Sequence, residues 1–274
     1  MEKTVKKILL YTILAVIALT MLAPFFMMLV MSTLKTNEIY SFPPHIWFGD
    51  NLAANFKSMM NQIDLVKSFL NSCIVTFSQT ALSLLFCSMG GYAFAAYDFP
   101  GKKKLFAVLL RTMMIPFTAG IIPWFIMMSK LGWINTYWGL IIPYSANAFG
   151  IFWMRQYCQN NVPISLREAA KIDGCSEWVI FFKVIAPNLL PAYAALGIMQ
   201  FVNSWNDFLV PLMVLRDNEM MTLPLALKSM VSDRSNDYGA IMLASTCAVL
   251  PLLIAFLSAS KFFISGLTSG AVKE

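Results

Sequence analysis

Residues 165–191 read SLREAAKIDGCSEWVIFFKVIAPNLLP, a polar segment with helix signals that gives way, after a glycine, to a renewed apolar run. Ser165 followed three residues later by Glu168 has the form of a capping box, Pro163 stands just upstream, and Gly174 offers a C-terminal stop. The spacing predicts a helix of about eight residues. A helix that short is marginal in water and needs something to pack against; Leu166, Ala169 and Ala170 give it a surface that a partner can approach closely. Two readings stand side by side here: a connector between two membrane helices, and a docking element.

The flanks of this segment are apolar, and so is the chain as a whole. Of its 274 residues 58% are hydrophobic and 12% charged, far from the make-up of a soluble domain of this length. The fold class is therefore an all-α membrane protein. The net charge of +6 is spread over short segments between apolar runs, which argues against nucleic acid as a partner. Cys73, Cys87, Cys158, Cys175 and Cys247 form no C-x-x-C pair, so neither a disulfide framework nor a zinc site is expected. The single histidine, His45, lies in the proline-rich SFPPHIWF without acidic or thiol neighbours and reads as a surface residue.

Six apolar runs are expected to cross the bilayer: 8–31, 68–97, 105–129, 139–157, 178–213 and 240–264. The first follows Lys3, Lys6 and Lys7, is longer than the apolar core of a signal peptide and lacks a small-residue cleavage site, so it is expected to be retained. In the connector after it, Leu52, Phe56, Met59, Ile63 and Val66 recur at steps of three and four, the pattern of an amphipathic helix. The second run ends in Ser88, Gly90, Gly91, Ala93, Ala95 and Ala96, small residues that let helices approach closely in lipid. Arg111 stands near the start of the third and can snorkel to the headgroups. Pro24, Pro116, Pro123, Pro143, Pro187, Pro191 and Pro251 break or kink several of these runs.

Six spans put both termini on one side. With the amino terminus inside, twelve basic residues fall on inner segments (Lys3, Lys6, Lys7, Lys102, Lys103, Lys104, Arg155, Arg167, Lys171, Lys183, Lys261 and Lys273). Seven fall on the longer outer ones, from Lys35 to Arg234. Cytoplasmic segments carry the excess, so both termini and residues 165–191 are expected to be cytoplasmic. The chain has no G-x-x-x-x-G-K-[ST] loop, and nothing marks a nucleophile with its base. It is expected to be no enzyme by itself and to hold no cofactor or metal.

Here the residues carry a family resemblance. EAAKIDG at 168–174, followed by VIAP at 184–187, resembles the EAA loop of bacterial ABC-importer permease subunits, in which Gly is followed by nine residues and I-x-L-P. Glu168, Ala169, Ala170, Gly174 and Pro187 are in register, Val184 stands for the isoleucine, and Ala186 departs from the leucine. LGWINTYWGLIIPY at 131–144, NSWNDFLVPL at 203–212 and the tail GLTSGAVKE from Gly266 resemble the carbohydrate branch, in particular the second permease of the maltose-transporter type.

The resemblance implies a second homologous permease, two cytoplasmic ATPase subunits that hold the ATP and magnesium, and an external sugar-binding protein, all at the bacterial cell membrane. It makes 163–187 a coupling loop, with Glu168, Ala169, Ala170, Asp173 and Gly174 contacting an ATPase. It leaves Glu168 with two candidate jobs, an internal cap and an intersubunit contact. Asn203, Trp205, Asn206 and Asp207 are the candidate substrate pathway, since polar groups in an apolar helix must face protein or water and sugars bind amides and aromatic faces. The alternatives are the same machinery carrying a polyol or glycerol phosphate, and a stand-alone channel or secondary transporter.

Overall fold

In hydrocarbon each backbone N–H and C=O must find its partner within the protein, and a continuous apolar run does this by forming a helix. The computed structural model describes residues 2–231 and 236–271, with side chains for 4–231 and 236–257. It is all helical, with no strand among the described residues. Arg234 and Lys273 of the charge count, and the end of the GLTSGAVKE tail, lie outside the described residues, as do the side chains of Lys3 and Lys261.

Among the described residues three helices are long and apolar enough to cross a membrane: Thr4–Met31, Leu65–Ala96 and Tyr238–Leu257. Two bent pairs raise the number to as many as five, Lys102–Thr112 with Phe117–Lys130 at 94° and Glu177–Asn188 with Leu190–Trp205 at 79°. The region of the expected fourth span, 139–157, is divided between the short helix Trp138–Ile141, a 3-10 turn at Ile142–Tyr144 and the helix Ala148–Asn161.

The chain divides into two compact units. In the first, Met1–Ser68 with Leu225–Pro251, the helix Leu52–Gln62 and the turn after it bury only part of the face that the apolar spacing marks. Met59 and Ile63 are buried, but Leu52, Phe56 and Val66 are exposed. The place of the missing apolar contact is taken by Asn55, buried, whose amide donates to the Ser32 and Leu34 carbonyls at 2.8 and 2.9 Å and whose oxygen accepts from the Asn51 amide at 2.7 Å. A buried amide with its bonds made is tolerated at a core position. Asp237 completes this polar seam, accepting from the Ser58 hydroxyl at 2.6 Å.

The second unit comprises Phe69–Pro224 with Leu252–Glu274. Here the small-residue stripe does what its spacing implies. A Cβ on Gly91 would lie 2.5 Å from that of Met154, and one on Gly150 would lie 2.6 Å from the Cys87 sulfur, so the helices Leu65–Ala96 and Ala148–Asn161 touch at backbone distance. Around this seam Cys87, Met154, Ala192 and Leu196 form one buried cluster, and Tyr92, Cys158, Ala170, Ile180, Phe181, Ile185 and Leu189 another.

The stretch expected as one span over 178–213 is instead a series of pieces. A π turn occupies Ile180–Ile185, Pro187 follows without an N–H to give, and the chain breaks at Leu189. Pro191 then opens the helix Leu190–Trp205, where its missing N–H costs nothing. A further break at 206–208 precedes Leu209–Val214.

Candidate functional site

The short helix of the loop runs over Ile164–Ile172. It begins two residues earlier than the capping box requires. Pro163, extended at φ −61° and ψ 135°, occupies the cap position and no side chain caps the helix. Ser165 is thereby inside the first turn, where it cannot act as the cap, and the internal-cap role for Glu168 falls away. Gly174 closes the other end at φ +77°, a conformation strained for any residue with a Cβ, while the Gly174 N–H donates to the Lys171 carbonyl at 3.0 Å and that of Cys175 to Ala170 at 3.0 Å.

Two faces of this helix differ in what they touch. Ala170 is 8% exposed and belongs to the buried cluster below. Glu168, Ala169 and Asp173 are exposed, and Ile172 is 86% exposed. Of the five loop residues named from sequence, the fold thus turns three outward, buries Ala170 and spends Gly174 on the turn.

What fastens the helix was not singled out from sequence. The Glu177 carboxylate accepts from Arg167 at 3.1 Å, from Lys171 at 2.8 Å and from the Tyr97 hydroxyl. The Arg167 guanidinium lies 4.1 Å over the Tyr97 ring and donates to the Ala96 carbonyl at 3.3 Å. One carboxylate therefore joins the loop helix, the end of Leu65–Ala96 and the start of Glu177–Asn188. Hydrogen bonding to Lys171, then to Tyr97 and Arg167, pulls the Glu177 carboxyl down to about 2, so it stays ionised throughout the physiological range.

A second site lies in the same unit. A cavity of about 410 Å³ is lined by Gln79, Tyr144, Asn147, Asn203, Ser204 and Asp207 together with Phe149, Met199 and Gln200. Asn203 and Asp207 of the expected pathway meet here. The Tyr144 hydroxyl is buried without a hydrogen-bond partner, and one Asp207 oxygen accepts the Val210 N–H at 3.2 Å. Trp205 and Asn206 do not join them. Trp205 is 2% exposed, its ring stacked on Phe201 at 5.8 Å and edge-on to Phe69 at 5.8 Å, which makes it a core residue. Asn206 ends the helix, its amide donating to the Val202 carbonyl at 2.9 Å.

Apolar helices, glycine-dependent helix packing and a charged helix held against the bundle by one face define a multi-helix membrane component. The chain belongs to the family described as "Binding-protein-dependent transport system inner membrane component", which it matches over residues 2–268. It is 43% identical over 207 residues to the arabinooligosaccharides transport system permease protein AraQ of Bacillus subtilis, covering 76% of this chain and 73% of that one. To the lactose transport system permease protein LacG of Rhizobium radiobacter it is 36% identical, over 96% and 95% of the two chains. Among solved structures it is similar to a bacterial ABC transporter involved in the import of the acidic polysaccharide alginate, with a TM-score of 0.84, 23% identity and coverage of 96% and 98%. The likeness to that structure establishes the fold. The family is one of transporter permeases, which carry no catalytic reaction themselves.

Proposed function

We propose that this chain is one of two permease subunits of an ATP-driven importer for a sugar or oligosaccharide. Relatives that are transport permeases for arabinooligosaccharides, for lactose and for melibiose, raffinose and stachyose support the substrate class. In this reading the chain lies in the bacterial cell membrane with six spans and cytoplasmic termini. It pairs with a second permease and receives solute from an external binding protein. ATP and magnesium are held by two cytoplasmic ATPase subunits.

The observation that carries the reading is the two-faced loop helix. Nine residues do not hold a helix in water, yet Ile164–Ile172 keeps Glu168, Ala169 and Ile172 outward while Ala170 and Arg167 bind it to the bundle. An exposed isoleucine beside a carboxylate suits an ATPase surface whose movement the helix passes on to the spans.

For the solute path we assign Asn203 and Asp207, with Tyr144 and Asn147. These amide, hydroxyl and carboxylate groups match the hydrogen-bonding needs of saccharide hydroxyls. Among the described residues no basic side chain lines that cavity, which disfavours glycerol phosphate as cargo.

The test is the complex reconstituted with its ATPase and binding protein, with ATP hydrolysis followed across a panel of mono- and oligosaccharides. Glu168→Lys is expected to insert normally and to abolish the stimulated hydrolysis. Solute movement by the purified chain without any ATPase would establish a stand-alone channel or secondary transporter and overturn the proposal.

A further inference from the structure

Between Tyr40 and Gly49 the chain makes a loop rich in exposed aromatic and aliphatic side chains, and no described feature of the first unit accounts for it. Phe42 is 94% exposed and Trp47 71%, with Ile46 alongside. In water such a cluster is costly. Residues 41–48 hold no lysine, arginine or carboxylate, and only His45 can carry charge.

The loop is held in place at both ends. At its start the Tyr40 ring meets that of Tyr238 edge-on at 5.3 Å, and the Ser41 hydroxyl donates to the Glu38 carbonyl at 2.7 Å. At its end the Gly49 N–H donates to the Thr33 hydroxyl at 2.8 Å and the Asn51 N–H to the Thr33 carbonyl at 2.9 Å. The approach is close enough to require glycine, since a Cβ at Gly49 would sit 2.7 Å from the Thr33 oxygen. Between these anchors the loop folds back on the first helix. The Phe48 ring lies 6.0 Å from that of Phe26, and Trp47 meets Phe48 edge-on at 5.7 Å.

That contact fixes a depth. Lys6 and Lys7 stand at the far end of the first helix. If hydrocarbon begins beside them at Ile8, Phe26 is about 27 Å further along the axis, just inside the far edge of a hydrocarbon core about 30 Å thick. Phe48 and Trp47 are therefore level with the boundary between acyl chains and headgroups, where tryptophan and other aromatic rings are favoured. The first helix at this level is itself unburied at Leu22, Phe25 and Leu29, so the loop continues an apolar surface that the first unit leaves open.

We infer that residues 41–48 form an interfacial anchor, with Phe42, Ile46 and Trp47 inserted among the lipids of the leaflet opposite Lys6 and Lys7. Inserted there, the three side chains fix the first helix in depth and rotation.

The test uses the assembled importer in nanodiscs made with phosphatidylcholine brominated either near the headgroup or near the chain terminus. Subtracting the tryptophan emission of Trp47→Phe from that of the wild type isolates the Trp47 signal. Shallow bromines are expected to quench it about twofold and deep bromines less, as an interfacial position demands. Phe42→Trp in the Trp47→Phe background should restore a signal that shallow bromines quench. A Trp47 signal quenched by neither lipid overturns the anchor. So does one that lipid leaves unchanged but that shifts when the binding protein is added, which would make the loop a protein-docking surface.

Discussion

Replacing Glu177 by glutamine removes the charge that joins the loop helix to two neighbouring helices while keeping the shape of the side chain. Glu177 is 43% exposed, so its two ion pairs, at 2.8 and 3.1 Å, are screened by solvent and contribute about 0.5 kcal/mol each. The hydrogen bond from Tyr97 adds about 0.5–1 kcal/mol. Loss of most of this, about 1–2 kcal/mol, raises the undocked population of the Ile164–Ile172 helix by about 5–30-fold. Hydrogen exchange of the 164–172 amides, measured by mass spectrometry on the assembled importer, reads that population directly. Glu177→Gln is expected to speed their exchange by this factor and to lower transport per ATP hydrolysed. Glu168→Gln, which alters only the outward face, should leave exchange unchanged. Exchange within twofold of the wild type in Glu177→Gln would falsify the fastening role.

The remaining expectations concern the same unit. Because Glu177 titrates at about 2, below its ordinary 4.5, its contribution is complete above 4.5 and lost as pH falls towards 2; protection of 164–172 should be flat from neutral pH to 4.5 and decline only below it. Gly174→Val places a β-branched residue at φ +77° and should cost about 1–2 kcal/mol, abolishing binding-protein-stimulated ATP hydrolysis with insertion intact. Gly91→Ala, whose methyl would meet Met154 at 2.5 Å, should destabilise the unit by about 1–3 kcal/mol, seen as a lower midpoint in thermal size-exclusion. Asn203→Ala should raise the sugar concentration needed for half-maximal transport about 5- to 150-fold while basal ATP hydrolysis stays unchanged, since an unpaired hydroxyl is worth about 1–3 kcal/mol.

Hydropathy made the helical class legible, and spacing placed the loop helix to within a residue or two, because both depend on local pattern. What depended on the register of a cap or a fold-back was not legible. Ser165 and Glu168 have capping-box spacing, but Pro163 already fits the extended cap conformation and the helix starts two residues early. Asn55 could not be read as a core residue, since its burial rests on the Ser32 and Leu34 carbonyls more than twenty positions away. Trp205 looked like a sugar-stacking face, yet Phe201 stands one helical turn before it and the two rings stack; that i, i+4 pair was a signal in plain sight. Glu177 gave no motif at all. Its partners come from Arg167, Lys171 and Tyr97, the last of them eighty residues distant.

The break at Leu189 has a mechanical consequence. A straight helix passes a push to its far end as a piston does. Here the arm Glu177–Asn188 meets Leu190–Trp205 at 79°, so a displacement along the first arm arrives almost broadside to the second, as in a bell crank. The shorter arm, about 18 Å long, begins at the carboxylate that grips the loop helix, and the longer one carries Asn203 at its end. In the importer proposed above, a small axial shift at the loop would therefore sweep Asn203 and its neighbours in the cavity sideways rather than push them along the helix axis.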